Sequence, residues 1–154
     1  MFHKFFQPKR NQGKKKFNIL ISEQDKGYRE YLARLIRYNR STYNIYTATK
    51  LERVFDYIYS DITIDIIFFD IEAEKNASNL AIIKAIKPKT RLINWSNCRH
   101  PEVIENLYSL GIRTFCLKDS QPQVIFNAID YINNNQNILY LDKQLNNCLY
   151  LLNS

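Results

Sequence analysis

The chain has 154 residues, 45% of them hydrophobic, which supports one domain with a substantial core and excludes a wholly disordered chain or two ordinary domains. Its formal net charge of +7 is unevenly placed: six of the 22 Lys and Arg lie in residues 1–16, which hold no acid, and the other 16 face 15 Asp and Glu. Three scattered cysteines and two histidines give no zinc-ligand spacing, and charge interrupts every apolar run before it reaches spanning length.

Residues 1–16 read as a basic flexible arm. Lys4, Lys9, Arg10, Lys14, Lys15 and Lys16 supply its charge, with Phe2, Phe5 and Phe6 beside them. Besides a solvated leader, contact with an anionic surface, a nucleic acid or an acidic partner stays open. The arm has no Ser or Thr and no apolar centre, which argues against a transit or secretory peptide. The abundance of Ile, Asn, Tyr and Lys suits an AT-rich genome, so a cytoplasmic location is expected, or the plastid stroma if the gene is organellar.

From Phe17 onward, short apolar runs alternate with segments of helical period. Phe17–Ser22 reads as a first buried strand, and residues 26–38 as a helix whose apolar face holds Tyr28, Leu32, Leu35 and Ile36. Tyr43–Ala48 is β-prone, and Leu51, Val54, Phe55 and Ile58 line the next helix. Residues 65–70 form the most continuous apolar strand, and a short helix is expected over 79–86, before Pro88. Arg91–Ser96 is the fourth strand. Pro101 suits the first turn of a helix running to Leu110, and Gly111 suits its end. Residues 113–118 give the fifth strand and 123–132 the last helix, with Val124, Ile125, Ala128, Ile129 and Ile132 facing inward.

Five strand-helix repeats within residues 17–133 predict an α/β fold, a five-stranded doubly wound parallel sheet of flavodoxin-like order 2-1-3-4-5. Residues 133–137 read as a polar loop, and 134–154 as a linker-like extension in which 138–141 is either a small strand or a packed linker, and 146–152 a short helix. In such a sheet the carboxyl ends of the strands share one edge, where ligands bind. Asp70, Ser96 and Lys118 each close an apolar run there, a carboxylate, a hydroxyl and an ammonium suited to phosphoryl chemistry. Each also has a plain reading: Asp70 as a polar strand terminus, Lys118 as a partner of Asp119, and Ser96 as a cap for the segment approaching Pro101. Trp95, the sole Trp, reads as packing or as part of a partner surface. Only three glycines occur, at 13, 27 and 111, so no phosphate-binding Gly loop and no metabolic enzyme activity is expected.

With these residues placed, the chain resembles the CheY-like receiver domain of two-component response regulators across residues 17–133. The phrase Gly111-Ile-Arg-Thr-Phe-Cys-Leu-Lys-Asp119 is similar to the Gly-Ala-x-Gly-Tyr-Leu-Leu-Lys-Asp of regulators with a C-terminal helix-turn-helix. Residues 138–152 resemble their linker, and no room for the output domain itself is expected. The resemblance implies that Asp70 accepts a phosphoryl group from a histidine kinase or phosphorelay protein. Ser96 would then be the switch hydroxyl, Lys118 the neutralising cation and Phe115 the aromatic switch. It also implies Mg²⁺ held by Glu23, Gln24, Asp70 and the carbonyl of Glu72. Gln24 stands where a carboxylate is usual, which weakens or removes the metal site. Asp25 compensates only if the register shifts, and Ile71-Glu72-Ala73-Glu74 departs from the family's apolar-x-Met-Pro.

Two functions follow from the resemblance. One is an atypical stand-alone receiver that relays a signal by protein contact through phosphorylation of Asp70, with at most phosphoryl acceptance and slow autodephosphorylation as chemistry. The other is a phosphorylation-independent pseudo-receiver, an adaptor or structural subunit for a downstream or scaffold protein.

Overall fold

The structure of the protein is a computed structural model, which describes residues 17–70, 81, 85–86, 89–134, 138–146 and 148. The chain runs β1 (Asn18–Ser22), α1 (Lys26–Asn39), β2 (Asn44–Ala48), α2 (Leu51–Ile58), β3 (Ile66–Phe69), β4 (Arg91–Ser96), α3 (Pro101–Ser109), β5 (Thr114–Leu117), α4 (Pro122–Asn134) and β6 (Tyr140–Leu141). A 3₁₀ turn over Lys143–Leu145 follows. The six strands form one sheet in the order β2-β1-β3-β4-β5-β6, every neighbouring pair parallel. The expected doubly wound order 2-1-3-4-5 is therefore present, extended by one strand. Among the described residues no helix is long and apolar enough to cross a membrane.

All four residues of β3 are buried, as a central parallel strand covered on both faces requires. Alternation then divides the strand side chains between two layers. Ile19, Ile21, Phe68, Ile93, Trp95 and Cys116 pack with Leu32 and Ile36 of α1 and Ile125 and Ile129 of α4. Leu20, Ile67, Phe69, Leu92, Phe115 and Leu117 pack with Val54 and Ile58 of α2 and Ile104 and Leu107 of α3. Cys116 is a core thiol, and burial pushes its pKa far up.

Local signals explain the element ends. Asp25 caps α1 by accepting a hydrogen bond from the Tyr28 amide at 2.9 Å, so its carboxylate is committed to the helix. Pro101 opens α3, where its missing N–H costs nothing. Gly111 takes φ 107°, letting its amide bond Tyr108 and that of Ile112 bond Leu107 at the end of α3. Two expectations need correction. The helix α4 continues through Asn133 and Asn134, placed above in a loop. Tyr28 is exposed rather than core-facing, while Leu32 and Ile36 are buried as expected. Of the helix expected over 79–86, Ala81 and Ala85 are helical, Ile86 lies in a bend, and residues 79–80 and 82–84 lie outside the described residues.

The described part of the C-terminal extension, residues 138–146 and Cys148, docks on the sheet. Tyr140 and Leu141 pair with Thr114 and Phe115, and Leu145 and Cys148 are buried in the layer that holds Phe115 and Ile104. Asp142 fixes this return. Its buried carboxylate accepts from the amides of Leu117 and Gln144, both at 3.0 Å, and from the Ser120 hydroxyl. Its own amide donates to the Phe115 carbonyl at 2.9 Å. Asp142→Ala strands three donors at once and is expected to cost about 2–4 kcal/mol, with faster hydrogen exchange at the Leu117 amide. The exposed neighbour Lys143→Ala is the control, expected within about 0.5 kcal/mol of wild type. Urea unfolding of the two variants checks this, and a loss under about 1 kcal/mol for Asp142→Ala would contradict it.

Candidate functional site

The sheet brings Glu23, Asp70, Ser96 and Lys118 to one edge, each just past or at the carboxyl end of its strand. Backbone pairing sets their positions: the Glu23 amide donates to Ala48 at 3.0 Å, and the Lys118 amide donates to the Ser96 carbonyl at 2.9 Å. All four side chains are buried. The Lys118 ammonium lies between the two carboxylates and donates to Glu23 Oε1 and to Asp70 Oδ2. Asp119 is not its partner. That carboxylate pairs with Arg99 at 2.6 Å, and Arg99 also reaches Gln144 at 3.3 Å.

Two aromatic rings complete the surroundings of the ammonium. The Tyr28 ring centre is 4.6 Å from Lys118 Nζ and the Trp95 ring centre 5.3 Å, both within cation-π range. The rings meet each other edge to face at 5.8 Å. Trp95 is thus buried packing, as one of its two readings had it, and it packs directly on the ion group. The role of Tyr28 was missed because helical period alone puts it beside Leu32 rather than over the end of β5. Asp142 was missed as well, although it closes an apolar run, Ile138–Leu141, just as Asp70 and Lys118 do.

The charges perturb one another in a definite direction. Burial pulls the Lys118 pKa down, but the hydrogen bonds it donates to Asp70 and Glu23 and the charges of those carboxylates outweigh it, so Lys118 lies above the ordinary lysine value. Burial raises the Glu23 carboxyl, the Lys118 ammonium offsets part of that, and Asp70 and Asp25 push it further up.

Ser96 is fully buried, and its hydroxyl accepts from the Cys98 amide at 3.1 Å and from Asn94 Nδ2 at 3.4 Å. It therefore ties down the segment leading to Pro101, which is its plain reading, while standing at the sheet edge. Phe115 is also fully buried, within the layer closed by Leu145 and Cys148. Glu72, expected to offer a carbonyl to a metal, lies outside the described residues.

The resemblance implies Mg²⁺, and the described donors do not suit it. Gln24 is exposed and brings a neutral amide where a carboxylate would favour a hard cation. Its carbonyl, with that of Glu23, accepts from Arg29 Nη1 at 3.2 and 3.0 Å. Glu23 and Asp70 already bracket an ammonium. Among the described residues no group of three or more His, Cys, Asp or Glu is arranged to hold a metal. The described donor set is thus a weakened one for a hard divalent cation.

Comparison with solved structures shows which fold this is. A response regulator from Thermotoga maritima superposes with a TM-score of 0.66 at 16% identity, covering 77% of this chain and 98% of that one. The chain has the receiver fold. A LuxR family DNA-binding response regulator from Silicibacter pomeroyi gives a TM-score of 0.69 at 20% identity, covering 83% and 98%. The RcsB response regulator of Salmonella typhimurium gives 0.73 at 12% identity, covering 88% of this chain and 67% of that one. No protein-family model and no curated protein matches the sequence. At these identities the shared property is the receiver fold.

Removing the cation tests the ion group. Lys118→Met leaves two buried carboxylates uncompensated and is expected to cost about 3–5 kcal/mol near neutral pH. Because the folded-state pKa of Lys118 is raised, its contribution is intact below the unfolded value of about 10.4 and is lost as pH rises through the folded value. The stability gap between wild type and Lys118→Met should therefore hold steady from about pH 8 to 10 and narrow above that window. Urea midpoints across this range read it, and a gap that widens above pH 10 would be the contrary result.

Proposed function

We propose that the protein is a pseudo-receiver, a receiver-fold adaptor that works through protein contact without phosphorylation of Asp70. The observation that carries this reading is the state of Lys118. In receiver chemistry a cation at this place would neutralise an incoming phosphoryl group. Here the ammonium is engaged by Glu23 as well as Asp70, and Tyr28 and Trp95 lie against it. Freeing it means uncovering a buried charge and disturbing the ring contact between α1 and β4, a cost that a single phosphoryl contact must exceed. Gln24 supports the same reading, because repulsion between Asp70 and a phosphorylated donor is then met without the usual carboxylate-held cation.

The partner on this reading is a downstream or scaffold protein. The surface offered to it on the α3 side is composite. Glu102 and Glu105 lie exposed on α3, and the Arg99–Asp119 pair joins that side to Gln144 of the docked extension. Such a surface is fixed by packing and does not wait for a covalent signal.

A second reading retains the switch. Asp70, Ser96 and Lys118 do share one edge, which is the placement that phosphoryl acceptance from a histidine kinase requires. The two readings separate in one experiment. The folded protein and Asp70→Asn are incubated with acetyl phosphate and with a phosphorylated histidine donor, with and without Mg²⁺, and followed by intact mass. The pseudo-receiver reading expects no phosphoryl adduct on wild type under any condition. An Mg²⁺-dependent adduct that maps to Asp70 and is absent from Asp70→Asn would overturn it and establish the switch.

A further inference from the structure

Two of the three cysteines lie where the C-terminal extension returns to the fold. Cys98 sits in the turn between β4 and α3, where its amide donates to the Ser96 hydroxyl at 3.1 Å. Cys148 belongs to the extension. Both are 2% exposed, and both pack in the layer that holds Ile104, Phe115 and Leu145. Their flanking residues draw the two segments together: Arg99, next to Cys98, donates to Gln144 Oε1 at 3.3 Å, and Leu145 follows Gln144 into the core. The two thiols are near enough to act on each other. Burial pushes the Cys148 pKa above the ordinary thiol value, and a charge on Cys98 pushes it further.

Cys116 supplies the contrast. It lies within β5 and packs with Trp95 and Ile125 on the opposite face of the sheet from the other two cysteines. There it fills a core position as a small apolar side chain does. Cys98 and Cys148 come instead from segments far apart in the chain. They stand at a junction whose ties on the α3 side, from Arg99 to Asp119 and to Gln144, are exposed and therefore weak. A covalent bond here would add what that side of the junction lacks, because closing a long loop removes much freedom from the unfolded chain.

We propose that Cys98 and Cys148 form a reversible disulfide that latches the extension to the turn between β4 and α3. The co-reactant is a small disulfide of the glutathione class. While docked, both thiols are covered and inert, so reaction begins when the Cys148 segment lifts. The Cys148 thiolate then attacks the small disulfide; one small thiolate leaves and a mixed disulfide remains. On re-docking, the Cys98 thiolate attacks the Cys148 sulfur and expels the second small thiolate. The two protein thiols give up two electrons and two protons, and the small disulfide becomes two small thiols. Neither cysteine belongs to the ion group of Lys118, so the inference stands apart from the adaptor reading.

The test equilibrates the full chain in glutathione buffers of stepped redox ratio, quenches it by alkylation, and follows it by intact mass and peptide mapping. Loss of two hydrogen atoms is expected, with one intrachain bond mapped to Cys98 and Cys148 and reversed by excess reduced glutathione. Hydrogen exchange at the Tyr140 and Asp142 amides, which bond Arg113 and Phe115, should slow about tenfold or more in the oxidised form. Cys98→Ala and Cys148→Ala should each abolish the bond, and Cys116→Ala should leave it intact, with circular dichroism checking that each folds. Mapping on the wild-type chain decides the pairing where a variant does not fold. The proposal is overturned if the folded protein forms no bond at any ratio, if the bond includes Cys116 or joins two chains, or if oxidation leaves the exchange of those amides unchanged.

Discussion

The ammonium of Lys118, held between Glu23 and Asp70, is the contact around which the carboxyl edge of the sheet is organised. Those two acids follow β1 and β3, and the lysine follows β5, so one cation joins three strands that are not all neighbours. Like-signed carboxylates this close, in a buried place, repel each other and lose their hydration. Only a cation with good hydrogen bonds to both makes the arrangement tolerable. The aromatic pair Tyr28 and Trp95 then follows from that choice. Once the ammonium is internal, its open side is best covered by ring faces that are apolar yet attract positive charge.

Several features that look unrelated hold the residues of this edge in place. Arg29 turns back to hold the carbonyls of Glu23 and Gln24, fixing the loop from which Glu23 enters. Asp25 is spent on capping α1, which keeps Tyr28 in the first turn where it can reach the lysine. Ser96 binds the Cys98 amide and so fixes the exit of β4 beside Trp95. On the far side of β5, Asp142 performs a comparable task with no ion-pair partner among the described residues, gathering backbone and hydroxyl donors around one buried carboxylate. Three acids at strand ends have thus been satisfied in two chemically distinct ways.

The architecture was legible in the sequence because it rests on long patterns. Runs such as Ile66–Phe69 and Arg91–Ser96, separated by helices of regular apolar spacing, leave a parallel sheet as the economical arrangement. Asp70, Ser96 and Lys118 were legible for the same reason, since strand ends in such a sheet share an edge. The details that decide chemistry rest on single contacts between distant residues. Nothing in the period of α1 says that Tyr28 leaves the apolar face, and nothing local to Lys118 says that Glu23 takes it in preference to Asp119. The two-residue strand β6 is too short to show periodicity. It exists because Asp142 and Leu145 anchor it, and that is a tertiary fact.

The sequence distances within the ion group carry a consequence for how the chain folds. Lys118 lies 95 residues from Glu23 and 48 from Asp70. When β1, β2 and β3 are in hand, the sheet has both its acids and not yet their cation, so its carboxyl edge repels itself and stays wet. Closure of that edge needs a contact between residues far apart in the chain, and the entropy of closing such long loops is the cost it must overcome. The last of the three charges to be synthesised is therefore the one that compensates the other two.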